Sequence, residues 1–598
     1  MSDTTSGATA GEATVGEVRV EDELRVWAPA VAELLVEEGG TTRAMRRADG
    51  GWWVADPPSG DYLLVADGFR MPDPASTAQP AGFDGPSRRD DPATFAWSDA
   101  TWTGRPLDEL VIYELHVGTF SASGTFDGVL EHLDHLVELG IGAIELMPVN
   151  TFPGTRGWGY DGVQWFAPHH AYGGPDGLRR LVDGCHRRGL AVVVDVVYNH
   201  LGPLGNHLSR LGPWFTDRHR TPWGDAIDLD GPDSAGVRGT IVANAVHWIR
   251  DFHVDGLRLD AVHALHDDSP RHVVAEVVEA VHAAGLEAGR STFVIVESDL
   301  NDPVVVTPSA EGGWGADASW SDDFHHALHV ALTGERNGYY GDYTGLGDLR
   351  TALERVFVYD GQVAPSRGRA HGRPVGDLPR RRFVGYSQTH DQVGNRALGE
   401  RLVHLAGIEA AYAAAATVVL SPFVPMLFQG EEWGATAPFL YMTDHPDEEL
   451  AEAVRRGRRE EFAGLHLDLD PPDPQAPETL RRSSLDWDEP ERDPHRDLLA
   501  WYRQLVELRR RHLHPSPDGE REVRVVVDED ERWWRLDHGE LAVLVALAGE
   551  GDEVRVPARA DDAQELASRP DVRRVGDRWI LPRGATVVVS RVMPQGGG

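Results

Sequence analysis

The 598-residue chain contains no lysine: all 57 basic residues are arginine, set against 96 Asp and Glu, for a net charge of −39. That excess of negative charge argues against nucleic acid and anionic membranes as partners and suits a neutral substrate. Cysteine is nearly absent as well. Cys185 stands alone, so no intramolecular disulfide can form. Its spacing with Leu178, Leu181 and Val182 predicts a core thiol rather than a nucleophile. No apolar run is read as a membrane span. The start, MSDTTSGATAGEATVGE, has neither the basic residues nor the apolar core of a signal peptide. A cytoplasmic protein is expected.

Four apolar runs each end in polar groups. FHVDGLRLDAVHAL, Phe252 to Leu265, reads as a buried strand from Gly256 to Val262. Arg258 and Asp260 share one face of it, because strand residues two apart lie side by side. An inward Arg next to an Asp is costly unless the two pair. AVVVDVVYNH, Ala191 to His200, carries Asp195 and ends in Asn199 and His200. FVIVESDL, Phe293 to Leu300, delivers Glu297, and FVGYSQTHDQVGN, Phe383 to Asn395, delivers His390 and Asp391. In parallel α/β barrels the C-terminal ends of the strands build the active site. Two Asp, one Glu, two His and an Arg converging there have the chemistry of a glycosidase centre.

In order and spacing these four stretches resemble the four short motifs of the α-amylase clan of glycoside hydrolases (glycoside hydrolase family 13). Within the clan, DPAS in Met71 to Ser87, DAVHA after Asp260, DDFHH at Asp322 to His326, and HDQVGNR at His390 to Arg396 are similar to trehalohydrolases. The resemblance implies a (β/α)8 barrel and a retaining mechanism. It implies Asp260 as nucleophile, Glu297 as general acid/base and Asp391 as the third carboxylate. Arg258, His263, Tyr160, His200, Asp322, Asp323, Phe324, His325, His326, His390, Gln392 and Asn395 are expected to contact substrate, and Asp195 to support the site. His325 and His326 could instead be satisfied core histidines. The implied activity is hydrolysis of the α-1,4 bond next to the terminal trehalose of a malto-oligosaccharide. A synthase that makes this substrate is implied as a pathway partner. No cofactor is expected. Many clan members bind calcium near the residue matching Asn199, but calcium needs six to eight oxygen ligands. Asp217, Asp225, Asp228 and Asp230 complete no such set, so no metal is expected.

Four regions are expected along the chain: a disordered N-terminus (1–17), a β-sandwich (18–100), the barrel with inserted loops (104–514) and a C-terminal β-domain (515–594). The sandwich rests on short alternating strands such as ELRVWAP and DYLLVAD, and the last region on runs such as RWWRLDH and ATVVVSRV. Met71 to Ser87 reads as a Pro/Gly-rich linker. Two other functions share the pattern. A branching enzyme or other glucan transferase would use the same carboxylates and pass the sugar to a hydroxyl instead of water. A non-catalytic glucan-binding barrel would be expected to have lost one of them.

Overall fold

A computed structural model describes residues 23–464, 471–515, 519–549 and 551–591. The expectation for residues 1–17 lies outside them. Eight parallel strands close into a barrel: β1 Ile112–Leu115, β2 Ala143–Leu146, β3 Ala191–Val196, β4 Gly256–Leu259, β5 Phe293–Val296, β6 Ala318–Trp320, β7 Phe383–Gly385 and β8 Val424–Phe428. Each pairs with its sequence neighbours, and β8 closes on β1 through Met426 to Ile112.

Period-two alternation sorts the side chains. Ile112, Ala143, Val193, Ile295, Trp320 and Met426 share one apolar cluster within the barrel. Tyr113, Ile144, Val194, Leu257 and Val296 belong to the larger core shared with the surrounding helices. Gly256 has no room for a side chain, since a Cβ there would lie 2.5 Å from the Phe293 ring. The polar members of the inward set, Glu114, Glu145, Asp195 and Arg258, are each the last residue but one of their strands and are all buried.

The strands are shorter than their apolar runs suggest. β4 stops at Leu259, before Asp260, and β7 stops at Gly385. β1 ends at Leu115, and Val117–Phe120 is already helical. β6 ends at Trp320, and a helix runs over Asp322–Thr333. In each case the chain leaves the sheet where polar residues need partners other than a ladder. The helix Phe126–Leu130, after β1, starts at a threonine cap. Thr125 is the N-cap, its hydroxyl accepting from Gly128 N, while Gly140 does end the next helix in the left-handed conformation.

Two flanking β regions hold the barrel. At the N-terminus a three-stranded and a four-stranded antiparallel sheet cover Leu24 to Met71. Trp27 of the VWAP stretch packs edge-on against Trp214, with ring centroids 5.7 Å apart. It thereby braces the segment between β3 and β4. That segment contains an antiparallel hairpin, Phe215–Thr221 with Gly224–Ile227. Met71 to Ser87 is not a loose linker. Asp73 is buried and accepts from Tyr62 Oη at 2.7 Å, and Ser87 bridges back to Tyr62. Its prolines fix a folded strap whose amides the neighbouring strand and side chains satisfy. The C-terminal region has a five-stranded and a three-stranded sheet. After β8 the chain includes helices at Glu448–Gly464 and Pro477–Ser483.

One exception touches the absence of span-like runs. The helix Leu402–Val419 is long and apolar enough to cross a membrane, yet 56% of it is buried inside the protein. Cys185 is fully buried, and burial pushes its thiol well up, as expected of a core residue.

Candidate active site

Arg258 is the hub of the site. Its Nη1 donates to Asp195 Oδ2 at 2.7 Å and to Asp260 Oδ1 at 2.9 Å, and its Nη2 donates to Glu297 Oε2 at 2.7 Å. The guanidinium carbon lies 4.2 Å over the Trp320 ring. The cation is thus held among three carboxylates and an aromatic face, an arrangement a flexible ammonium could not reproduce.

Two of the three carboxyls on this guanidinium, Asp260 and Glu297, are tuned apart. Burial alone would raise Asp260, but Arg258, His200, the Asn199 amide and His390 bring it below its ordinary value. Asn199 donates to Asp260 Oδ2 at 2.6 Å and to its carbonyl at 2.9 Å. Glu297 is pushed up to about 8, first by burial and then, against the pull of Arg258, by Asp260, Asp391 and Asp322. One carboxyl is therefore ionised and its neighbour protonated at neutral pH. Asp195 is raised to about 6 by burial, opposed by Arg258.

Backbone geometry completes the pair. Ala261 adopts φ +39, a left-handed conformation unfavourable for a residue with a Cβ. Its amide is turned onto Glu297 Oε2 at 2.9 Å.

Tyr160 and His390 form the floor beside this pair. Tyr160 Oη donates to Asp195 Oδ2 at 2.6 Å and lies 2.9 Å from His390 Nε2. The two rings stack with centroids 5.2 Å apart. Asp391 is half-buried and accepts from Asn395 Nδ2 at 2.7 Å. Asp322, also half-buried, accepts from Tyr386 Oη at 2.5 Å and is raised to about 6 by burial, with Asp391 adding to the rise.

Several expected contacts are differently employed. Phe324 is fully buried against Phe423 and offers no surface to a sugar. His325 is buried with Nδ1 on the Ser387 carbonyl and Nε2 on Tyr340 Oη, so it is a satisfied core histidine. Asp323 is buried and accepts from Tyr343 Oη, Asn301 Nδ2 and the amides of Val358 and Tyr359. It anchors a loop. In each case the helix Asp322–Thr333 turns these residues inward while Asp322 faces the site. His326 keeps Nδ1 on Tyr343 Oη. Gln392 spends its carbonyl on the Thr389 capping box, although its amide nitrogen remains available. Both nitrogens of His200 have protein partners, the Asn199 side chain and the Tyr160 carbonyl. His263 stands at the edge, where its Nδ1 accepts from Asp299 N at 3.3 Å.

Three aromatic residues escaped the sequence reading. Trp320 and Tyr386 lie at or just past strand ends beneath the carboxylates. Trp223 sits in the turn of the hairpin after β3. It is 51% exposed and stacks on His200, with ring centroids 4.4 Å apart. An exposed Trp in a T-P-W-G turn is the signal that could have marked it. Glu114 and Glu145 also escaped notice, because single acids inside apolar runs read as ordinary strand alternation.

Asn199 donates its amide to Asp260, and its side-chain oxygen meets His200 Nδ1. Elsewhere His219, Asp230 and Asp268 bring ligand atoms within 4.8 Å of one another. Asp230 there is already paired with Arg218.

The comparisons agree with this geometry. Residues 91–210 match the model of the alpha amylase catalytic domain. The malto-oligosyltrehalose trehalohydrolase of Arthrobacter ramosus is 50% identical, over 87% of this chain and 92% of its own. The one from Mycobacterium tuberculosis is 45% identical over 91% and 98%. A crystal structure of a Salmonella typhimurium protein assigned as an alpha amylase superposes with a TM-score of 0.88 at 36% identity, covering 96% of this chain and 99% of that one. A pullulanase from group B Streptococcus, at 16% identity and TM-score 0.70, shares the fold. With the barrel closed, the paired carboxyls at its C-terminal end, and half of all aligned residues identical to one such enzyme, this chain belongs to the malto-oligosyltrehalose trehalohydrolases of the α-amylase family.

Proposed function

We propose that the chain hydrolyses the α-1,4 bond joining a malto-oligosyl chain to a terminal trehalose, with Asp260 as nucleophile and Glu297 as acid and base. The observation that carries this reading is the shared guanidinium: one Arg258 bonds both carboxyls, one ionised and one protonated. Neighbouring nitrogens of one fork fit the ~5–5.5 Å pairing of retaining enzymes better than the wider gap, up to roughly 9.5 Å, that admits a water.

Asp260 attacks the anomeric carbon as the bond to O4 of the trehalose unit breaks. Glu297 gives its proton to that oxygen, and trehalose leaves. Glu297, now a carboxylate, takes a proton from water, which displaces Asp260 and restores the α configuration. Asp391 stabilises the positive charge that develops on the sugar ring, and Asp322 lies on the same side. Trp223, Tyr160 and His390 offer aromatic and polar faces to the sugars. Gln392, through its amide nitrogen, and His326 at the rim remain candidate contacts. Water as the acceptor follows the relatives' names, and the same carboxyls would serve a transferase. A cytoplasmic location and a synthase that supplies the substrate belong to the same proposal.

Incubation with maltotriosyltrehalose tests it. Trehalose and maltotriose are expected in equal amounts, with maltotriose first appearing as the α anomer. New α-1,6 branches on amylose, or a β first product, would replace the reading.

A further inference from the structure

His390 is gripped from two sides by groups the sequence did not mark. Glu114, inward on β1, accepts the His390 backbone amide on Oε2 at 2.9 Å and the Nδ1 hydrogen on Oε1 at 2.5 Å. On the far side of the ring, Nε2 lies 2.9 Å from Tyr160 Oη. That hydroxyl has one proton, and it is directed at Asp195, 2.6 Å away. Toward His390 it can therefore only accept, so Nε2 must carry a hydrogen. With a carboxylate on Nδ1 and an acceptor on Nε2, the ring is an imidazolium.

We infer that Glu114 is a positioning residue that keeps His390 doubly protonated, and so sets the direction of the hydrogen-bond chain Glu114–His390–Tyr160–Asp195 beneath the bound sugar. The inference rests on the glycosidase reading of the site.

The surrounding charges are consistent with one dominant partner. Burial alone would lower His390 from its ordinary value. Glu114 reverses this, with help from Asp391 and against Arg258, and lifts it to about 9. Glu145 stands in register with Glu114 on the adjacent β2. It is buried, its Oε2 has no protein partner among the described residues, and burial beside Glu114 pushes it well up. His116, at the end of β1, is held neutral by burial, at about 4. Asp260 also feels the charge on His390, which helps keep it ionised. Trp158 and Trp320 present only rings.

If His390 lost its proton, the chain would have no fixed direction. Tyr160 could then donate to the ring and release Asp195, and Asp195 is one of the anchors of Arg258. Glu114 touches no reacting atom on this account. Its effect passes through His390.

The test uses a malto-oligosyl fluoride, whose departing fluoride needs no proton, so the Glu297 limb leaves the kcat/KM profile. For Glu114→Gln we expect kcat/KM to fall as pH rises, by ~10-fold or more between pH 5.5 and 8 relative to wild type. Glu114→Asp, which keeps the charge, should keep the wild-type profile even if its rate is lower. A Glu114→Gln profile parallel to wild type overturns the inference. The wild-type protein gives a second readout that no folding failure affects. Imidazole nitrogen NMR at pH 7.5, with His390 assigned by difference against His390→Gln, should show both nitrogens protonated. One bare nitrogen overturns the inference. Failure of wild type to cleave the fluoride would instead count against the glycosidase reading.

Discussion

The amide of Ala261 donates to Glu297 Oε2 at 2.9 Å, from a left-handed residue immediately after Asp260. The turn that ends β4 therefore ties the acid to the nucleophile's own backbone. The same Glu297 oxygen accepts from Arg258, so two donors fix one carboxyl oxygen and leave the other for the substrate.

Asp260→Asn should fold as wild type and lose at least ~10⁴-fold in kcat on maltotriosyltrehalose. The amide keeps the shape but cannot form the glycosyl ester. Circular dichroism and turnover on one sample check both halves.

Splitting Asp260 below its usual value from Glu297 at about 8 predicts a broad plateau of kcat/KM that falls on the alkaline side near pH 8. The raised carboxyl also bears on stability. Between the unfolded carboxyl value and about 8 the native state holds a proton that the unfolded state has released, so stability falls as pH rises through that window. Glu297→Gln should therefore gain in Tm over wild type at pH 8, with the gap closing toward pH 4.5. Melting curves across that range read the sign.

Arg258→Lys keeps the charge and loses the fork, so it cannot bond Asp195, Asp260 and Glu297 together. A loss of ~10²–10³-fold in kcat is expected. The alkaline limb should also shift upward, because Glu297 loses the Nη2 hydrogen bond of the fork, which favours its ionised form.

Phe324→Ala should cost about 3–5 kcal/mol of stability, as a large core deletion, and should not change preference among substrates. Denaturant unfolding and paired kcat/KM values separate this from a contact with sugar.

Chelation should leave activity unchanged. Asn199 is engaged with Asp260 and His200, and Asp230 of the His219 cluster is paired with Arg218. Loss of activity in EDTA, restored by a divalent cation, would reveal a metal site.

The barrel was legible through the resemblance of four strand-end stretches to the α-amylase clan, and the pairing of Arg258 with Asp260 because strand residues two apart share a face. Asp195, Arg258, Asp260 and Glu297 come together as that resemblance implies. Two kinds of information were hidden. A polar motif such as DDFHH does not say which way its helix faces, and packing turned Phe324 and His325 inward while leaving Asp322 on the site. Long-range pairs were hidden too. Glu114 meets His390 across 276 positions, which no local pattern can encode.

The most direct test of the central claim compares kcat/KM for maltotriosyltrehalose with that for maltopentaose, two substrates of equal sugar count. A site that hydrogen-bonds the bent, non-reducing trehalose unit leaves polar groups unpaired on linear maltose, and retained water softens the penalty. A preference on the order of 10–10³ for the trehalose-ended substrate is predicted. Equal values for the two substrates would contradict the account.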